Sequence, residues 1–135
     1  MSISFFIKLE KIPKTTAQQK KVRVVNNIPL FYDHPNLKLA KSIFIKELAK
    51  YKPKDKLTGA VSLKILWQFE KTKKSKDGEY KITRPDLDNL NKGFQDCLTK
   101  TGFFKDDSQV VELYTTKKYS DKVGIYVEIS ELREV

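Results

Sequence analysis

Ile3, Phe5, Ile7 and Leu9 alternate with polar residues. That period of two predicts a strand at the start of the chain. Beyond the basic stretch 14–23, the run VRVVNNIPLFY sets two β-rich halves about Asn26-Asn27, which predicts a hairpin or an extended excursion. Leu37, Ala40, Phe44, Leu48 and Tyr51 recur at spacings of three and four, so an amphipathic helix is expected from Pro35 to about Lys50. Pro53 and Gly59 bracket its exit. Val61, Leu63, Ile65, Trp67 and Phe69 alternate cleanly and predict a central strand with one face buried. Residues 71–80, KTKKSKDGEY, are polar and basic around Asp77-Gly78 and should form an exposed loop or hairpin tip. A second helix is expected from about Asp88 to Lys100, with Leu87, Leu90, Phe94, Cys97 and Leu98 on one side and Gly102 as its C-cap. Strands at 109–118 and 123–129 close the chain. The order β, ββ, α, β, α, β, β makes a small α+β fold, and 135 residues suit one domain spanning 1–135.

Composition narrows the setting. No apolar run approaches the roughly 20 residues that span a bilayer, so no membrane partner is expected. The N-terminus turns charged at Lys8, which argues against a secretory signal. Cys97 is the only cysteine, which excludes an intrachain disulfide and any zinc site built on several cysteines, and fits an intracellular protein.

Charge changes the picture more. The net charge is +10, yet it is unevenly spread: residues 1–84 carry 20 Lys/Arg against 7 Asp/Glu, and residues 85–135 carry 7 against 10. A basic surface around an acidic spot is the footprint of a protein that handles phosphates, although a solubilising lysine coat would look the same from charge alone.

The acidic spot is RPDLDNLNKGFQDCLTKTGFFKDDSQVV, holding Asp86, Asp88, Asp96, Asp106 and Asp107. Pro85 pushes Arg84 towards an extended conformation, so the chain is still entering the helix at Asp86 and both Asp86 and Asp88 can converge there. Asp88, Lys92 and Asp96 follow at spacings of four on one polar face. Asp86 or Asp88 could equally serve as a helix cap, and Asp106-Asp107 as an acidic turn. Carboxylates without histidine or cysteine neighbours suit a hard cation such as Mg²⁺ or Mn²⁺ rather than zinc. His34, the only histidine, is distant in sequence and expected at the surface near the start of the first helix.

The segment RPDLDNLNKGFQDCLTKTGFFKDDSQVVEL resembles the signature of the RusA-type Holliday junction resolvases, small nucleases of bacteria and their phages. The likeness rests on an Asp-x-Asp-Asn-Leu-x-Lys element, a helix with a further Asp, a Gly-Phe-aromatic turn, and Asp-Asp-x-Gln-Val. The N-terminal region KIPKTTAQQKKVRVVNNIPLFY departs from the Pro-Pro-Ser-Asn turn of many members. The resemblance implies a mixed β-sheet with two main helices, a homodimer, and paired nicks in four-way DNA junctions in the cytoplasm of a bacterial or phage-infected cell. It implies that Asp86, Asp88 and Asp107 are catalytic and bind Mg²⁺ or Mn²⁺, that Lys92 is catalytic or contacts phosphate, and that Asn89 orients the site. Asp106 could assist, and Asp96 is assigned to the structural face of the helix. Lys20, Lys21, Arg23, Lys73, Lys74, Lys76 and Arg84 are the DNA-binding candidates. Phe103 and Phe104 are expected in the core or a dimer contact rather than as a wedge at the branch point. Two rivals stand beside this reading. A basic junction-binding protein without catalysis is disfavoured because carboxylates harm DNA binding unless a metal bridges them. A nucleotide-sugar transferase using Asp-x-Asp is disfavoured by the short chain and the lack of a glycine-rich βαβ unit.

Overall fold

The alternating segments meet in one four-stranded sheet with both helices packed on one of its faces, in a computed structural model that describes residues 1–14, 20–25, 27–33 and 35–133. In chain order the elements are β1 (Ser2–Lys8), β2 (Lys20–Val25), β3 (Ile28–Asp33), α1 (Pro35–Leu48), β4 (Val61–Glu70), α2 (Leu87–Thr101), β5 (Val110–Ser120) and β6 (Gly124–Glu131). The sheet order is β1-β6-β4-β5, while β2 and β3 pair antiparallel as a separate hairpin. Asn27, in the connection between them, takes the positive φ of 64° that Asn tolerates better than most residues. His34, expected at the surface, lies outside the described residues.

β4 is central, as its pattern requires: Val61, Leu63, Ile65, Trp67 and Phe69 are buried on the helix side, and the residues between them are half-buried. It runs antiparallel to β6 but parallel to β5. A parallel neighbour cannot be reached by a tight turn, so α2 is the crossover between β4 and β5. The chain therefore does contain a β-α-β unit, built without a glycine-rich loop. Leu37, Ala40, Phe44 and Leu48 of α1 and Leu90, Phe94, Cys97 and Leu98 of α2 are buried. Phe44, Trp67 and Phe94 meet edge to face at centroid distances of 5.2–6.0 Å, locking both helices to β4. Burial pushes the Cys97 thiol up to about 11, so it stays neutral and acts as a small apolar core residue.

α1 ends at Leu48, two residues short of the expected end near Lys50, so Tyr51 lies beyond it. Tyr51 instead stacks on Phe5 of β1 with centroids 4.5 Å apart. Phe103 and Phe104 are fully buried, so the core reading of this pair holds and neither ring is available as a wedge. Gly102 closes α2 at φ 101°, its N–H bonding the carbonyls of Leu98 and Thr99. Gly124 is required for space: a Cβ there would stand 2.1 Å from the Ile7 carbonyl oxygen.

Candidate active site

One face of α2 and the start of β5 enclose a cleft of about 300 Å³ lined by Asp88, Asn91, Lys92, Gln95, Asp107 and Leu113. The helix geometry explains its membership. At 100° per residue, Gln95 and Thr99 return to within about 20° of Asp88, Lys92 to about 40°, and Asp96 drifts to about 80°. The stripe of Asp88, Lys92 and Asp96 at spacings of four therefore does not hold together. Asp96 turns to Lys41 of α1 at 3.6 Å, a contact between the two helices, and Gln95 takes its place in the cleft.

Asp107 reaches the cleft from the turn that follows α2. The turn 105–109 satisfies itself: Asp106 accepts from the Ser108 N–H (3.1 Å), and Gln109 Oε1 accepts from the Lys105 and Asp106 N–H groups (2.8 and 3.0 Å). Gln109 Nε2 donates to the carbonyls of Leu57 and Gly59 at 2.9 and 3.0 Å, tying the turn to the segment before β4. This reciprocal pair of bonds is a capping box on a single 3₁₀ turn. It commits the Asp106 carboxylate to its own backbone, while Asp107 faces the cleft and accepts a hydrogen bond from Thr99 Oγ1.

At the other end, Asp86 occupies the N-cap position of α2 with extended backbone (φ −74°, ψ 144°), and its side chain makes no capping bond. The capping explanation for this residue fails. The Asp88 carboxylate accepts from the Asn89 N–H at 3.0 Å and is otherwise exposed at the cleft. Asp86 and Asn89 line a second, larger groove of about 800 Å³, whose cations are Lys11, Lys14, Lys81 and Arg84. The two hollows both reach the first turn of α2. Among the described residues, no three His, Cys, Asp or Glu side chains lie close enough together to hold a metal ion. Asp88, Lys92 and Asp107 are thus brought to one cleft, and Asp86 to its neighbour.

The helix entry is held by a lysine. Residues 78–81 run along the outer edge of β5, with Gly78 N–H to Tyr119 O at 2.8 Å and Lys81 N–H to Lys117 O at 3.1 Å. Lys117 Nζ then donates to the carbonyls of Thr83 and Pro85 at 2.7 and 2.8 Å, fixing the two residues that lead into Asp86. Burial, and then the nearby Lys81 charge, lower the Lys117 pKa; Asp86 opposes that shift. Of the remaining DNA-binding candidates, Lys73, Lys74 and Lys76 are exposed on the loop after β4, and Arg84 is exposed at the groove. Lys20, Lys21 and Arg23 belong to β2, and their side chains lie outside the described residues.

Sequence reasoning missed Asn91, Gln95, Thr99, Gln109 and Lys117. The first three were reachable by following the true helical period from Asp88. Asn91 had a second signal: a buried Trp needs an acceptor for its indole N–H, and Trp67 Nε1 donates to Asn91 Oδ1 at 2.8 Å.

The family model described as Endodeoxyribonuclease RusA matches residues 11–130. The chain is 38% identical over 135 residues to the "Crossover junction endodeoxyribonuclease rusA" of Lactococcus phage r1t, covering 98% of this chain and all of that one. It is also 35% identical over 109 residues to the "Uncharacterized protein YqaN" of Bacillus subtilis (strain 168), covering 69% of this chain and 76% of that one. With the cleft carried on the very segment whose motif suggested the likeness, the chain belongs to the RusA family of endodeoxyribonucleases.

Proposed function

We propose that this protein resolves four-way DNA junctions by divalent-metal-dependent hydrolysis of phosphodiesters, two subunits making paired nicks. The observation that carries the reading is the cleft itself. Asp88 and Asp107, brought from opposite ends of α2, face one hollow beside Lys92, in a chain similar over nearly its whole length to a crossover junction endodeoxyribonuclease.

The donor set fits a hard cation. Mg²⁺ is commonly held by only one or two carboxylates together with substrate phosphates, so a cage of three protein ligands is not needed before DNA arrives. Asp88 and Asp107 would hold the Mg²⁺ or Mn²⁺ ion, with Asp86 contributing from the adjoining groove. Such an ion, when bound, lowers the pKa of water and stabilises the leaving oxygen. Lys92, exposed at the cleft and in no ion pair among the described residues, would offset charge building on the phosphate. Thr99 holds the Asp107 carboxylate in place, and Lys117 holds the segment entering Asp86. The lysines of the 71–80 loop and of the first third of the chain would hold the duplex arms through their phosphates.

Support for a homodimer comes from β5. Residues 78–81 pair with its outer edge only at 117–119, and Val111, Leu113 and Tyr114 are exposed on the remainder. A second chain laid there would cover an apolar edge that is otherwise open to unwanted pairing. A fluorescent four-way junction incubated with Mg²⁺, Mn²⁺ or chelator, alongside sedimentation at micromolar protein, tests the proposal. Symmetric cleavage by a dimer only in the metal-containing samples is expected. Tight junction binding with no cleavage under any metal would instead make it a non-catalytic junction-binding protein.

A further inference from the structure

Asn91 is the only buried polar residue among the described residues, with 4% of its surface exposed. It lies on the wall of the cleft that holds Asp88, Lys92 and Asp107. Its Oδ1 accepts two hydrogen bonds, from Trp67 Nε1 at 2.8 Å and from Thr115 Oγ1 at 3.2 Å. An indole N–H can only donate, so the atom facing Trp67 must be the amide oxygen and the amide cannot be turned over. The oxygen is therefore pinned towards the core, and the NH₂ group is the part left to meet the cleft. Among the described residues Nδ2 has no acceptor: neither Asp88 nor Asp107 hydrogen-bonds it.

A buried donor without an acceptor is costly, and native interiors rarely keep one. Here the missing acceptor has a natural source outside the protein. The cleft is lined by a lysine and two carboxylates, the composition that takes an oxyanion together with a cation. We infer that Asn91 is a phosphate-binding residue, its Nδ2 donating to a non-bridging oxygen of the DNA phosphodiester seated in the cleft. The inference rests on the endonuclease reading for the identity of that oxyanion. Lys92 supplies a flexible point charge, whereas Asn91, clamped by Trp67 and Thr115, supplies a donor of fixed direction. A rigid donor discriminates between positions of the phosphate where a mobile ammonium cannot.

The decisive variant is Asn91→Asp, which keeps an oxygen for Trp67 and Thr115 and replaces the donor with an anion. Junction cleavage should fall about 10- to 100-fold or more, the range expected for a lost hydrogen bond to a charged group, with KM raised as phosphate contact weakens. Thr115→Val loosens the clamp but leaves Trp67 holding Oδ1 and the donor in place, so it should lower cleavage only about two- to tenfold, less than Asn91→Asp, as loss of one bond between neutral groups implies. Titrating the unmodified protein with a short uncleavable four-way junction should shift the Asn91 side-chain amide pair in a ¹⁵N–¹H spectrum, whether or not Asn91→Asp folds. An unmoved amide pair at saturation overturns the inference. So does Asn91→Asp cleaving like the parent, or Thr115→Val losing as much activity as Asn91→Asp. If the unmodified protein binds the junction but never cleaves it, the endonuclease reading falls, and the amide shift alone decides whether Asn91 meets phosphate.

Discussion

The two ends of α2 spend their polar groups in opposite ways. At its exit, Gly102 and Phe103 return their N–H groups to the last turn, Phe103 and Phe104 are buried, and Asp106 and Gln109 close a capping box. Almost nothing there is left over. At its entry, the N-cap Asp86 makes no capping bond, Asp88 is exposed at a cleft, and Arg84 is exposed at a groove. The exit uses its polar groups within the fold, whereas the entry leaves its charges exposed. Asp107 joins the two, since a fully satisfied turn aims its carboxylate into the cleft that the entry begins.

The sharpest way to break this contrast is to neutralise the carboxylates assigned to binding. Asp88→Asn and Asp107→Asn keep side-chain size but remove a hard anionic ligand, and each should lower metal-dependent nicking by about two orders of magnitude or more. Junction binding in metal-free buffer should persist or tighten as carboxylate–phosphate repulsion is relieved. Asp86→Asn should also slow nicking, without loss of stability, because its carboxylate caps nothing. Single-turnover nicking rates and thermal midpoints, measured together, check all three. Full activity in Asp88→Asn or Asp107→Asn would remove the cleft from the chemistry.

Next in size is a change at the exit. Gln109 takes part in four hydrogen bonds, two accepted by Oε1 and two donated by Nε2. Gln109→Ala strands two backbone N–H groups and two carbonyls and should cost about 2–3 kcal/mol by denaturant titration. Gln109→Glu keeps the acceptor and loses the donors, so it should fall between parent and Gln109→Ala. Nicking should also slow, because the turn that aims Asp107 loosens. A Gln109→Ala protein as stable as the parent would show that the exit does not carry the stability assigned to it.

Part of the fold could be anticipated from the chain, and the failures have physical causes. Alternation at Val61–Phe69 and the 3.6-residue period of α2 made the buried faces readable, because burial is what selects those residues. Strand direction was not readable: alternation names the buried side of β4 but not that β5 would lie parallel to it. Asp106 and Asp107 looked alike in sequence and were told apart only by the resemblance, whereas the structure separates them through Gln109, three and two residues on. The stripe through Asp96 failed because steps of four overrun a 3.6-residue turn. Lys117 left no signal, since one lysine on a basic strand does not reveal which carbonyls it will reach.

The smallest expected effect is the most pointed. Asp106 and Asp107 are adjacent and chemically identical, yet one caps a turn and the other faces the cleft. Asn accepts at an N-cap nearly as well as Asp, so Asp106→Asn should change stability by no more than about 0.5 kcal/mol. Its nicking rate should stay within a few-fold of the parent, against the collapse expected one residue later. Asp106→Ala removes the acceptor and should cost about 1 kcal/mol while still leaving substantial nicking. Both predictions follow from one observation, that the Asp106 carboxylate accepts from Ser108 rather than opening to the cleft. Should Asp106→Asn prove as inactive as Asp107→Asn, the capping bond must give way when DNA binds. The two ends of α2 would then differ only in the unbound protein, with the exit lending its carboxylate to the site as well.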